Sequence, residues 1–215
     1  VAPYRGGGKI TRVGQNGVDL SLIPEQHANR PRAVLSVGTL KPRKCMDRTL
    51  EAFARLAGEY PDATLTLVGM GEMQAQLCAR VRELGLESRV TLTGPMAHGE
   101  VLRRMAQSDL FVLPSWGEGY GIVYIEAMAA GCIAVGAQNE GIEDTIADGV
   151  NGFLVPAGDT DAVERVMRDV FEHRDAYAAL RARGERDARL LTWERNAEQT
   201  EAVYREAIGA YAKKR

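Results

Sequence analysis

The chain has 215 residues, 45% hydrophobic and 26% charged, a balance that suits one globular domain with a sizeable core and excludes a disordered chain. Its 27 Lys and Arg nearly cancel 29 Asp and Glu, and the net charge of -2 gives no global basic field for nucleic acid or an anionic membrane. Cys45, Cys78 and Cys132 are odd in number without a Cys-x-x-Cys pair, no apolar run reaches the roughly 20 residues of a membrane span, and VAPYRGGGK lacks the hydrophobic region of a signal peptide. Reduced cysteines in a cytoplasmic protein are expected.

A glycine-rich start, Gly6 to Gly8, leads through KITRV to QNGVDLSLIP, which reads as a turn and connector with Asn16-Gly17 supplying positive φ. The first residue is not Met and the opening reads like mid-domain sequence, so residues 1–19 are expected to be a residual N-terminal segment and linker, with an upstream part left out. From Arg32, short apolar runs alternate with amphipathic stretches: AVLSVG and TLEAFARLAGEY, ATLTLVG and EMQAQLCARVRELG, RVTLTG and GEVLRRMAQS, DLFVLP and GIVYIEAMAAG, CIAVGA and GIEDTIADG. FLVP and DAVERVMRDVFEH add a sixth pair. Strands apolar at nearly every position between helices imply a parallel sheet buried on both faces, so the fold class is α/β, a doubly wound Rossmann-like sheet of about six strands over 20–190. The tail reads as two helices, the last over 191–215 with Thr192 as its N-cap. In it Ala197, Thr200, Val203, Tyr204, Ile208 and Tyr211 recur at helical spacing, a stripe expected to pack on its own domain and, less simply, on missing chain.

Ligands of open parallel sheets bind outside the carboxyl ends of the strands. The loops there are Gly38 to Lys44, Gly69 to Gly71, Gly94 to His98, Pro114 to Gly121 and Gln138 to Gly141. PSWGEGYGIVYIEAMAAG, Pro114 to Gly131, carries the strongest signal. Gly119 and Gly121 leave the backbone bare where a helix begins, so amides near Gly121 and Ile122 can point at a phosphate favoured by the helix dipole. Glu118 in the loop and Glu126 in the helix are acceptors suited to sugar or ribose hydroxyls. Taken singly, Glu118 reads as a solvated loop residue and Glu126 as a dipole-steadied carboxylate; the combination with Pro114-Ser115 and the glycines favours a site.

Glu118-Gly-Tyr-Gly-Ile-Val-Tyr-Ile-Glu126 resembles the E-x7-E motif of the retaining group 1 (family 4) glycosyltransferases, which have the two-domain GT-B fold. NGVD at Asn16 to Asp19 resembles that family's crossing into its C-terminal domain, VGTLKPRK its phosphate loop and LVGMG its third-loop glycines. NEGIEDTIADGVNGFLV, Asn139 to Val155, resembles the segment that follows, so the likeness covers nearly the whole chain in family order. It implies the donor-binding half of a GT-B enzyme, taking a UDP- or GDP-linked sugar and transferring its hexosyl unit, with retention, to a glycan or lipid-linked acceptor. The absent N-terminal half would bind the acceptor and make any peripheral contact with the inner face of the cytoplasmic membrane.

By the same likeness Glu126 would hold the ribose hydroxyls, Glu118 would face the transferred sugar, and amides at Tyr120 to Ile122 would hold the diphosphate. Lys44 would neutralise the leaving phosphates, as charge developing on a leaving group requires, and Arg43 could add a bidentate contact. A solvated basic turn after Pro42 is the plainer alternative for both. Gly38 and Thr39 would line the donor's phosphates, with Thr39 standing where many family members have Arg and Arg43 as its replacement. Gly69, Gly71, Gly94 and Met96 would border the nucleobase.

Gly69-Met70-Gly71 lacks the third glycine and the later acidic residue of a dinucleotide fingerprint. Asp159-Thr160-Asp161 has the form of a metal-binding DxD but precedes a helix, where N-capping is expected. His98 is expected to help start a helix, Trp116 to act as a packing lid, and His27 and His173 to lie in polar surroundings; no metal site and no prosthetic group is predicted. A phosphorylase of the same fold, a non-catalytic nucleotide-binding module and a dinucleotide oxidoreductase are the rival readings, the last weakened by the broken glycine pattern. The domain alone is expected to bind donor weakly and transfer nothing.

Overall fold

The computed structural model describes residues 4–6, 9–11, 16–24 and 32–212. His27 lies outside the described residues. Strands β1 (Tyr4–Gly6) and β2 (Lys9–Thr11) pair antiparallel, apart from the main sheet. That sheet contains β3 (Ala33–Val37), β4 (Thr64–Val68), β5 (Val90–Gly94), β6 (Leu110–Val112), β7 (Ile133–Ala137) and β8 (Phe153–Val155). Its order is β5-β4-β3-β6-β7-β8 with every pairing parallel, the doubly wound arrangement expected from the alternating pattern. The chain winds outward in both directions from β3 and β6, and their carboxyl ends form the switch point where such sheets open a crevice.

Helices α1 (Met46–Ala57), α2 (Gln74–Glu83), α3 (His98–Ala106) and α4 (Ile122–Ala129) make the first four crossovers. On α1 the buried Leu50, Phe53, Leu56 and Ala57 form one helical face against the sheet and α5 (Thr160–Glu172). All of β6 and β7 is buried, as is most of α4. Tyr124 of α4 meets Phe111 of β6 edge-on at 5.3 Å, a contact worth about 1 kcal/mol beyond its area. In so apolar a helix Glu126 is the one charged residue.

GIEDTIADG, expected as a helix, forms only a 3-10 turn at Gly141–Asp144. A side chain takes a backbone donor that a helix would need, Asn151 Oδ1 accepting from Ala147 N–H at 2.8 Å, while Asp148 Oδ1 accepts from Leu154 N–H of β8 at 2.9 Å. Gly149, at φ 69, completes the turn. Asp159 caps α5 by accepting from Ala162 N–H at 2.9 Å, and Asp161 pairs with Arg55 at 2.6 Å, so Asp159-Thr160-Asp161 starts a helix.

Helix α6 (Ala178–Ala188) packs on α4, and α7 (Trp193–Ala212) follows with Thr192 Oγ1 accepting from Arg195 N–H at 3.3 Å, the expected cap. The stripe on α7 does not pack on this domain. Ala197 and Thr200 are exposed, and Val203, Tyr204 and Ile208 are 37%, 67% and 69% exposed, because the helix projects away once past its first turn. The side chain of Tyr211 lies outside the described residues.

Where the chain enters and leaves the sheet domain it is clamped: Val18 N–H donates to the Leu191 carbonyl at 2.8 Å. Gly17 does not adopt the positive φ expected of it; a Cβ there would lie 2.1 Å from Trp193 N, so close approach of two backbones is what demands glycine. Cys45 and Cys132 are buried and Cys78 partly so, and none of the three is joined in a disulfide among the described residues. Among the described residues no helix is long and apolar enough to cross a membrane.

Candidate functional site

The loop after β3 ends in a 3-10 turn, Pro42–Lys44, begun by proline at its first position. Cys45 then turns left-handed at φ 52, a conformation costly for any residue but glycine, and α1 starts. Burial pushes the Cys45 thiol above its ordinary range, with Asp47 adding to the effect. This turn sends Lys44 inward, where it is only 8% exposed.

The loop after β6 answers it. Lys44 Nζ donates to Glu118 Oε2, an ion pair across the switch point, with side chains 10% and 16% exposed. Trp116 N–H donates to the Arg43 carbonyl at 2.9 Å and Arg43 Nη1 to the Gly117 carbonyl at 3.3 Å, so Arg43 stitches the same two loops together. Beneath them Tyr124 O–H donates to the Leu113 carbonyl and lies 3.1 Å from Ser115 Oγ, which reaches Glu118 Oε2 at 3.5 Å. Burial holds the Tyr124 phenol far above its ordinary range, so it remains a neutral donor.

Gly121, at φ 72, begins α4. Among the described residues, no hydrogen bond engages the amides of Tyr120, Gly121 and Ile122, where the chain enters the N-terminus of α4. Further upstream, beyond Gly119, two amides are taken: Gly117 and Glu118 N–H donate to Glu140 Oε1 and Oε2 at 2.9 and 2.6 Å. Sequence reasoning singled out the Gln138 to Gly141 loop but assigned Glu140 no role, since nothing local says which backbone its carboxylate meets.

The glycines differ in what they do. A Cβ on Gly69 would lie 1.8 Å from the Gly38 carbonyl, and one on Gly71 2.4 Å from that of Leu40, so both let the β4 loop press against the β3 loop. Gly38 N–H donates to Val68 O and Gly69 N–H to Gly94 O, each at 3.0 Å, lacing three strand ends together. A Cβ on Gly121 would strike the Tyr124 ring at 2.6 Å, whereas one on Gly119 would meet nothing within 4 Å. Thr39 is exposed and Met96 half-buried against the core.

Glu126, four positions into α4, has a side chain 14% exposed, and its Oε1 lies 2.7 Å from His98 Nε2. His98 does start α3, as expected, and its half-exposed ring also reaches this carboxylate. His173 pairs with Asp169, and Trp116 is 53% exposed, so it is no packed lid. Tyr120 O–H donates to the Asn16 carbonyl at 3.0 Å, tying this loop to the chain just before Gly17. Among the described residues no three His, Cys, Asp or Glu side chains group to hold a metal ion.

A doubly wound sheet with a buried cation, two carboxylates and unengaged helix amides at its switch point defines a Rossmann-like ligand-binding domain. The chain matches the description "Glycosyl transferases group 1" over residues 22–187 and belongs to that family. It is 33% identical over 221 residues to a D-inositol 3-phosphate glycosyltransferase of a Nocardioides species, covering 89% of this chain and 47% of that protein. Sucrose-phosphate synthase from Thermosynechococcus elongatus superposes with TM-score 0.80 and 27% identity over 93% of this chain and 53% of that one. Anabaena HepE in complex with UDP-glucose superposes with TM-score 0.80 and 26% identity over 93% and 58%. The fold is that of one half of a GT-B pair, and the chain spans about half the length of these relatives.

Proposed function

We propose that this chain is the donor half of a retaining glycosyltransferase, binding a nucleoside-diphosphate sugar at the switch point and passing its hexosyl unit to a glycan or lipid-linked acceptor held by an N-terminal half. Residues 20–190 form the nucleotide-sugar domain in this reading, with 1–19 as a residual N-terminal segment and interdomain linker and 191–215 as the C-terminal helix. The carrying observation is Lys44 paired with Glu118 beside the unengaged amides of Tyr120 to Ile122. A diphosphate seated there meets a buried ammonium and the positive end of α4, and the low dielectric strengthens both. As the bond from the sugar carbon to the phosphate oxygen breaks, negative charge grows on the leaving diphosphate. Lys44, Arg43 and the amides stabilise it in the role that Mg²⁺ fills elsewhere. The acceptor attacks from the leaving-group face and gives its proton to a phosphate oxygen, which preserves configuration.

Glu118 faces the sugar and Glu126 the ribose diol; Gly38, Thr39, Gly69, Gly71, Gly94 and Met96 border the phosphate and base, with Gly119 bare for close approach. A uridine donor is favoured by the UDP-glucose complex of the Anabaena relative. Calorimetric titration with UDP- and GDP-sugars tests the reading. Binding that falls at least about tenfold in Glu126→Ala and Lys44→Ala supports it, and no nucleotide binding by chain or full-length protein rejects it.

A further inference from the structure

Glu140 has no part in the reading above, yet it acts directly on the loop that carries Glu118. Its carboxylate brackets two consecutive amides, Gly117 N–H at 2.9 Å on Oε1 and Glu118 N–H at 2.6 Å on Oε2. A return bond runs from Gly141 N–H to the Glu118 carbonyl at 3.2 Å. Bidentate, charge-assisted contacts of this kind fix geometry as well as adding energy.

The bracket is itself braced. Asn139 turns left-handed at φ 60, with its N–H donating to Glu143 Oε1 at 2.7 Å, and Glu140 leaves that turn extended at φ -120 and ψ 162. Gly141 backs onto Gly119 so closely that a Cβ would lie 1.6 Å from its carbonyl oxygen. Segment 117–121 holds three glycines and has little stiffness of its own. Lys44 holds the Glu118 carboxylate from the β3 side; Glu140 holds the Glu118 backbone from the β7 side.

We propose that Glu140 is a positioning residue for Glu118: it sets where that carboxylate meets the sugar end of the donor and touches no part of the donor itself. Because its carboxylate uses up the Gly117 and Glu118 amides, it also confines diphosphate binding to those that follow. The proposal rests on the reading of Glu118 as sugar-facing. A displacement of about 1 Å in such a group costs about 100-fold in rate while leaving distant contacts intact.

The test uses the full-length protein containing this chain, with UDP and UDP-glucose as probes and water as acceptor, reading UDP affinity by calorimetry and UDP release by rate. Glu140→Ala is expected to keep UDP affinity and the KM for UDP-glucose within about threefold while kcat falls at least about tenfold. Glu140→Gln, whose single carbonyl oxygen serves one amide, falls between. Unchanged kcat in Glu140→Ala, with turnover lost in Glu118→Gln, overturns the proposal and leaves the donor reading standing. Loss of UDP affinity and kcat together, in step with a lower Tm, also overturns it, since that is scaffold damage. If Glu118→Gln turns over like the parent, the sugar-facing reading of Glu118 falls and this proposal with it.

Discussion

Lys44 and Glu118 lie 74 positions apart in the chain and meet as a largely buried ion pair between the loops after β3 and β6. Neither strand end alone makes a site. Pairing in the crevice gives each loop a fixed partner and places a cation where a diphosphate would approach the helix N-terminus.

Lys44→Met leaves the Glu118 carboxylate buried without its cation. Loss of about 2–4 kcal/mol is expected in urea unfolding, and Lys44→Met/Glu118→Gln is expected to recover part of it. Additive losses in the double-mutant cycle would show that the pair does not couple.

The glycines separate packing from ligand approach. Gly69→Ala and Gly141→Ala place a Cβ 1.8 and 1.6 Å from carbonyl oxygens, so each is expected to cost about 2 kcal/mol or more in thermal unfolding. Gly119→Ala meets nothing within 4 Å, and its Tm is expected to stay near the parent's while affinity for UDP-glucose drops. An undiminished affinity would remove Gly119 from the donor wall.

Asp159 is a helix cap in this fold. Asp159→Ala is expected to lower stability by about 1 kcal/mol without changing UDP binding, and that binding is expected to survive EDTA. Affinity that collapses on chelation would return a metal to the mechanism.

On α7, Tyr204 and Ile208 are 67% and 69% exposed. Tyr204→Ser/Ile208→Ser is expected to leave the Tm of this chain unchanged and to lower that of the full-length protein by several degrees, as loss of buried apolar area does. Equal melting of both full-length proteins would mean that the N-terminal half does not cover the stripe.

Local pattern carried much of the fold. Continuous apolar runs in β6 and β7, short and bounded by turn residues, read as strands buried on both faces, and Asp159 and Thr192 announce helix starts because a side-chain oxygen there finds an amide three residues away. The same logic failed for GIEDTIADG, where Asn151 takes the Ala147 amide, and at Gly17, where the demand comes from Trp193. The α7 stripe was legible as a contact face, but periodicity cannot name the surface it meets.

By itself the sequence determined the doubly wound class, the helix that begins after Gly121 and the residue types able to carry charge, since each depends on neighbours a few positions apart. Tertiary structure alone decided that Lys44 meets Glu118, that Glu140 takes the amides of Gly117 and Glu118, and that His98 reaches Glu126. These contacts join loops from different strands, and their distances are set by the order and twist of the sheet, which no local window of sequence contains.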